Sequence, residues 1–425
     1  MATQNGALKR LRPPFGWAIV DGFAFANPQV HEYFLTHAHA DHTTGLSPAF
    51  DHGTIYCSSV TSRLLRATIG VDPKRITTID VGQSLHIRNT RVTALDAGHC
   101  PGSLLFLFED LADGTTALHT GDCRASEEVV AAVRDELHRG APGRQLPLLV
   151  DVLYLDTTYC SERWTLPAQR DALRELAAIA RREKERESTT LFFIGSYSIG
   201  KEKAIRALVE DVGGRAHVSS QLALTLRLCG EWDDAIHTED ADAPDVHVRV
   251  MPMGGGADAH ESLKHALEAH AARHRAAVSF RPTGWTYARG GASPRVWAEN
   301  DGATRLYGVP YSEHSSYNEL HALVRALRPR AIVPTVNAET RSDRERLVNL
   351  FRSSMDLSAD RSRLDWHFTR PMAGSGGGES AAAAGGGCSA SSRSSSGGIA
   401  VANVGSSVAS TSPPVVAMVD LTVEV

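Results

Sequence analysis

The segment His37-Ala38-His39-Ala40-Asp41-His42 sets three imidazoles and a carboxylate side by side, directly behind the strand-like run Glu32-Tyr33-Phe34-Leu35-Thr36. Where an extended strand runs into a turn, side chains two residues apart point the same way, so His37 and His39 can reach one cation. Asp41 and His42, one turn further on, can face a neighbouring one. Imidazole and carboxylate donors without a thiolate suit zinc. The plain alternative is an exposed polar turn, but HxHxDH is too specific a pattern to arise often by chance. Four donors of this kind leave each of two cations incomplete. His99 closes the run RVTALDAG, Asp122 follows ALHT, and His314 follows YGVP. Each falls at a strand-to-turn junction, where sheet proteins place their chemistry. Singly each is an ordinary turn residue; together they complete a seven-donor, two-metal set.

Such a set needs rigid elements to hold it, and the chain is long enough to supply them. It has 425 residues, 42% hydrophobic and 22% charged, enough for two domains or one large one. The first 160 residues read as short β-branched or aromatic runs (WAIV, EYFL, GTIYC, RITTI, RVTALDA, LLFLFE, TTALHT, VLYLD) bounded by Gly, Asp and Pro. Two packed sheets are the expected outcome. From 161 to 303 helical and strand patterns alternate, starting with a helix over 167–187 and the strand LFFIG, which indicates a separate parallel α/β layer. From 304 to 371 the strands RLYGVP and AIVPTV flank the helix NELHALVRAL, followed by a helix near 339–352. Residues 372–425 form a Gly/Ser/Ala-rich segment that cannot bury enough apolar surface to offset its ordering entropy, so a disordered tail is expected.

Lys and Arg number 44 against 49 Asp and Glu, a net charge of −5, which excludes a uniformly basic nucleic-acid binder. Any phosphate must be held by a local site. The six cysteines are scattered singly, with no CxxC pair, as expected for free thiols in a reducing compartment. Neither a signal peptide nor a membrane span is expected, because the apolar run LPLLVDVLYL is short and broken by Asp151.

The motifs HAHADH, DAGHCPGS, HTGD, LDTTYC and PYSEHSS, in this order, resemble the metallo-β-lactamase fold with a β-CASP insertion, and specifically the DNA cross-link repair nucleases related to Artemis and Apollo. SYSIGKEK, FRPTGW and IVPTVN extend the resemblance over roughly residues 15 to 371. It implies an α+β fold: a four-layer αβ/βα sandwich interrupted by an inserted α/β domain, with the active site in the cleft between them. It puts His37, His39 and His99 on one zinc, Asp41, His42 and His314 on a second, and Asp122 between the two; one zinc or two would be used. Asp21, in IVDGF, orients the site by hydrogen bonds, and Asp156 holds a ligand histidine from outside. The implied reaction is phosphodiester hydrolysis by metal-activated water. Gly98 and Cys123 depart from the family pattern but remove no ligand.

The segment from Gly195 to Lys201 fits GxxxxGK at a strand-to-helix junction, yet Glu202 stands where a nucleotide-binding loop needs a hydroxyl for magnesium. Free N–H groups at a helix start still favour a phosphate. The resemblance makes this a pocket for the 5′-phosphate of a DNA strand, with Ser198 and Lys201 as candidates; a structural turn is the alternative. Tyr159 and Ser312, with Arg281 and Trp285, are candidates to stack on or hydrogen-bond the strand, or are simply structural. Val336 occupies a position where RNA-processing relatives resemble one another in having histidine, which favours DNA. The C-terminal VVAMVDLTVEV resembles a SUMO-interacting strand. The leading expectation is a zinc-dependent, 5′-phosphate-dependent 5′-to-3′ DNA exonuclease of interstrand cross-link or end repair, placed in the nucleus by the family alone. An endonuclease acting on DNA hairpins or RNA, and a non-catalytic scaffold that recruits repair partners, stay open beside it.

Overall fold

The computed structural model describes residues 9–139, 149–253, 259–289 and 297–358. The expected tail and its SUMO-interacting strand lie outside the described residues. β1 (Ala18–Val20), β2 (Glu32–Phe34), β3 (Thr54–Cys57) and β4 (Ile76–Thr78) form a parallel four-stranded sheet in that order. A single-turn helix α1 (Ala40–Thr43) follows β2, and α2 (Ser59–Leu64) follows β3, started by Ser58, whose hydroxyl accepts from the N–H of Thr61.

The chain then crosses to a second sheet. β5 (Ser84–Ile87), β6 (Thr90–Asp96), β7 (Leu104–Asp110) and β8 (Thr116–His119) run antiparallel, and after α3 (Glu127–Arg139) the strand β9 (Val152–Leu155) adds parallel to β8. The two sheets meet face to face through Val20, Phe34, Phe106, Phe108 and Tyr154, with Phe34 5.2 Å from Phe106 and 5.0 Å from Phe108 between ring centroids. β7 is buried along nearly its whole length because helices cover its other face. That is why LLFLF is a continuous apolar run rather than an alternating one. Each such fully buried side chain stabilises by roughly 1.5–3 kcal/mol.

The third sheet is built from α4 (Gln169–Arg186), β10 (Thr190–Ser196), α5 (Glu202–Val212), β11 (Arg215–His217), α6 (Ser220–Cys229), β12 (His237–Thr238), β13 (Val246–Pro252), α7 (Ala259–Ala269), β14 (Ala276–Pro282), β15 (Trp297–Asp301) and β16 (Thr304–Val309). Its order is β12-β11-β13-β10-β14-β16-β15, parallel except that β15 runs against β16. α4 and α5 pack one face through Leu176, Ile179, Ile205 and Leu208; Leu263 of α7 packs the other against Leu191 and Phe193. β16 corrects the sequence reading in one respect: Thr304–Val309 belongs to this sheet, not to the segment that returns to the first two. Its alternating pattern fits either sheet, and only pairing with β14 decides.

The return follows. α8 (Tyr317–Leu327) leads to β17 (Ala331–Pro334), which pairs parallel with β9 and completes the order β17-β9-β8-β7-β6-β5; α9 (Arg341–Phe351) is the last α-helix of the described residues. α3, α8 and α9 cover the outer face of this sheet, and Phe23, Phe50 and Leu65 cover the outer face of the first. The result is the α+β four-layer αβ/βα sandwich with an inserted α/β layer. Its strand directions matter for chemistry. β6, β8, β9 and β17 all run the same way, so their C-terminal ends share one edge. Among the described residues no helix is long and apolar enough to cross a membrane, and Cys57, Cys100, Cys123, Cys160 and Cys229 carry no disulfide.

Candidate metal centre

Every expected donor follows the C-terminal end of a strand, in one or another of the three sheets: His37, His39, Asp41 and His42 after β2, His99 after β6, Asp122 after β8, His314 after β16. Asp21 follows β1 and Asp156 follows β9. The geometry brings all nine together. The Nε2 of His37 lies 2.8 Å from Nδ1 of His39, which lies 3.1 Å from Nε2 of His99. One carboxylate oxygen of Asp122 is 3.7 Å from His37, 3.2 Å from His42, 3.9 Å from His99 and 4.0 Å from His314. Asp41 reaches His42 Nε2 at 3.4 Å from the exposed rim.

The outer nitrogens settle which inner ones are bare. Thr36 gives its hydroxyl proton to Asp21 at 2.8 Å, so the same oxygen accepts from Nδ1–H of His37 at 3.0 Å. His99 donates Nδ1–H to the Glu313 carbonyl at 3.1 Å, and His39 donates Nε2–H toward the Ile199 carbonyl at 3.4 Å. His42 donates Nδ1–H to Asp21, and His314 to Asp156, each at 2.8 Å. These assignments follow from the hydrogen-bond partners. Three imidazole lone pairs, those of His37, His39 and His99, therefore converge beside the ionised carboxylate of Asp122, and His42 and His314 turn Nε2 toward the same carboxylate, where a cation would take the place of a proton. Such an array repels itself unless a cation fills it, which is the donor chemistry of a metal site. The groups His37/His42/Asp122 and His99/Asp122/His314 each bring their donor atoms within 4.8 Å of one another, and so do His37, His39, His99 and Cys100.

Charge follows the same division. Burial holds His37 and His99 well below the usual imidazole range, and burial takes His39 down to about 4 despite the carboxylates of Asp122 and Asp41. Burial also works against protonation of His42 and His314, but there carboxylates outweigh it. Asp122, Asp21 and Asp41 drive His42 well up, and Asp156 and Asp122 bring His314 to about 9. The carboxylate of Asp122 is held well down by His42, His314 and His37 against its own burial. The centre thus attracts positive charge.

Backbone detail makes the convergence achievable. Asp21 adopts φ +50°, tolerated by a short polar side chain, and accepts the N–H of Thr36 at 2.8 Å on its second oxygen. Gly121 has φ +52°, and a Cβ there would stand 2.6 Å from Thr36. Gly98, the departure noted in the sequence, has φ +63°, a conformation glycine takes without strain.

Not all expected contacts are placed alike. Ser198 is exposed, and Val336 is half-buried at the end of β17, where Thr157 donates to its carbonyl and its N–H donates back to Thr157 at 3.2 Å. Three expectations need correction. Lys201 is not open to a phosphate, because it is buried with its ammonium 2.6 Å from Glu313. Tyr159, 2% exposed, offers no ring face to a base, being packed 5.0 Å from Trp164 and 5.2 Å from Trp285. Ser312 spends its hydroxyl on His314, donating to the carbonyl at 2.9 Å and accepting the N–H at 3.0 Å. Sequence reasoning missed Thr36, Glu313, Cys100 and Arg124. The last donates to the carbonyls of Ser312 at 3.0 Å, His314 at 3.2 Å and Pro167 at 2.8 Å, and pairs with Glu319 at 2.9 Å. An arginine directly after HTGDC was the only local signal for it.

Comparison with known proteins agrees with this geometry. Residues 26–186 match the β-lactamase superfamily domain, and residues 233–340 match the family described as DNA repair metallo-β-lactamase. The chain is 39% identical over 340 residues to the DNA cross-link repair protein SNM1 of Arabidopsis thaliana, covering 78% of this chain and 66% of that one. It is 34% identical over 326 residues to the DNA cross-link repair 1A protein of Homo sapiens, covering 75% of this chain and 29% of that one. It is 30% identical over 315 residues to the 5′ exonuclease Apollo of Rattus norvegicus, covering 72% and 51%. The chain thus spans just under two thirds of the plant relative and under a third of the human one. The two family matches and the identity to these relatives lead to one assignment: the chain belongs to the metallo-β-lactamase-fold, β-CASP family of DNA cross-link repair proteins.

Proposed function

We propose that the chain is a zinc-dependent DNA nuclease, a 5′-phosphate-dependent 5′-to-3′ exonuclease of interstrand cross-link or DNA end repair, acting in the nucleus. The observation that carries this is the sharing of one Asp122 oxygen by two sets of inward-facing imidazole nitrogens. His37, His39 and His99 would hold one zinc and Asp41, His42 and His314 a second, with Asp122 between them. When bound, such a pair lowers the pKa of a water to about 7 and neutralises charge on attacking and leaving oxygens at phosphorus.

The chain's own residues do the rest. Asp21 and Asp156 keep the protons of His42 and His314 on their outer nitrogens, so the inner ones face the scissile phosphate's neighbourhood as donors. Asp41, on the exposed rim, marks the side from which a strand enters. The 5′ polarity rests on the family resemblance and on the name of the Apollo relative. With Lys201 occupied by Glu313, the exposed hydroxyl of Ser198 is the remaining expected contact for a terminal phosphate. Residues 1–160 and the return segment through 371 form the metallo-β-lactamase part in this reading, 161–303 the bulk of the β-CASP insertion, and 372–425 a tail that recruits SUMO or SUMO-modified repair proteins.

The test is digestion of single-stranded DNA labelled at its 3′ end, with and without a 5′-phosphate, by the native chain and by Asp122→Ala. A ladder that needs zinc, the phosphate and Asp122 is expected. Internal cuts indifferent to the phosphate would replace the exonuclease by an endonuclease, and equal or faster cleavage of a matched RNA would overturn the DNA preference. A zinc-loaded chain that cuts nothing would leave the scaffold reading.

A further inference from the structure

Two of the carbonyls that fix the three-histidine group come from distant parts of the chain. Ile199, in the loop between β10 and α5 of the seven-stranded layer, faces His39, and Glu313, in the return segment, faces His99. A buried ion pair joins these two segments beside the centre. Lys201 meets Glu313 at 2.6 Å, with side chains only 4% and 6% exposed. The ammonium lies between the rings of Tyr197 and Tyr311, at 5.3 Å and 5.4 Å from their centroids. Glu313 has no other hydrogen-bond partner for its second oxygen, which is also buried. Gly200, at φ +106°, lets the loop backbone lie against this carboxylate, since a Cβ there would stand 3.1 Å from it.

A buried pair of this kind adds little net stability but is costly to break from one side. Its place beside the donor histidines therefore points to a role other than stability. We propose that the Lys201–Glu313 pair is a positioning device that ties the Tyr197–Lys201 loop to the return segment, so that the His37/His39/His99 group binds its cation tightly only when the seven-stranded layer is docked. The inference rests on the metal-centre reading above. Lys201 touches no reacting atom in it. It acts through the two carbonyls that set the rings of His39 and His99.

Zinc affinity, measured by competition with a chromophoric chelator on the full chain, tests this. The variants are Lys201→Met and the double variant Lys201→Met/Glu313→Gln, which strands no buried charge and so keeps the fold accessible. Arg91→Met serves as the control, because it breaks a different buried pair, with Glu109 at 2.9 Å and Glu136 at 3.0 Å, that contacts none of the donors. Losing an outer partner weakens metal binding by about 10–100-fold. We expect one zinc equivalent to weaken by that factor in both Lys201 variants while other bound zinc and the Arg91→Met chain are unaffected. A folded double variant with native affinity throughout would overturn the inference, as would an equal loss in Arg91→Met. A native chain that takes up no zinc would instead overturn the metal-centre reading itself.

Discussion

Asp156→Asn changes one atom type at the outer edge of the centre, and its consequences can be worked out bond by bond. The carboxylate is buried and accepts four hydrogen bonds: from the N–H and hydroxyl of Thr158 at 3.0 and 2.7 Å, from the N–H of Cys123 at 3.1 Å, and from His314 Nδ1–H at 2.8 Å. An amide offers one acceptor oxygen in place of two. If its NH₂ faces His314, the imidazole must move its proton to the inner nitrogen, where it blocks a donor. If the amide turns over, the NH₂ faces the Thr158 N–H, and His314 keeps only a neutral acceptor with roughly half the strength of the charged one. Either orientation strands a buried donor, costing about 1–3 kcal/mol of stability. Zinc affinity should fall by about 10–100-fold, or roughly 1.4–2.8 kcal/mol. The assay pairs chelator competition with digestion of 3′-labelled single-stranded DNA at limiting and at excess zinc. The variant should lose most of its rate at limiting zinc and regain part of it in excess. A folded Asp156→Asn chain with native zinc affinity and native rate at limiting zinc would refute the argument that this carboxylate holds His314 in its ligating tautomer.

Stripping metal with a chelator should lower the melting temperature of the native chain by several degrees, because the converging lone pairs of His37, His39 and His99 lose the cation that reconciles them; an unchanged calorimetric scan would contradict the assignment of bare inner nitrogens to these three. Arg91→Met should cost about 3–5 kcal/mol in urea titrations, since it leaves Glu109 and Glu136 buried without their cation, yet the folded fraction should cut DNA at the native rate per molecule. Gly121→Ala should be destabilising and poorly active, because φ +52° is strained for alanine and its Cβ would meet Thr36 at 2.6 Å; wild-type activity would show that the Asp122 turn is more compliant than its geometry implies.

Most of the centre could be read before the structure because its donors are chemically unusual residues at strand ends. His37, His39, Asp41 and His42 announce themselves together, and His99, Asp122 and His314 each close a recognisable apolar run. The strands were legible for a related reason, since runs such as LLFLFE sit between a sheet and a helix layer and have no polar face to confuse the pattern. What escaped was what depends on distant partners. Lys201 has the local signature of a phosphate-loop lysine, and only Glu313, 112 residues further on, turns it into half of a buried pair. Ser312 and Tyr159 look available in sequence, and packing against His314 and Trp164 removes them from solvent. Thr36 carries no motif at all, though its hydroxyl decides which nitrogen of His37 is bare. Strand order is equally silent: nothing local says that Thr304–Val309 pairs with β14.

The donors are drawn from residues 37 to 314, with His99 leaning on a carbonyl 214 residues away and His314 on a carboxylate 158 residues back. Contacts so remote in sequence form late, after the costly loops between them have closed. During synthesis the growing polypeptide therefore has no complete centre until the return segment has emerged and folded. A chain cut short before His314 would hold His37, His39 and His99 yet lack a donor of the second group, and on the nuclease reading would leave nucleic acid uncut. On the nuclease reading, the connectivity itself delays the activity until the last of its donors has been made.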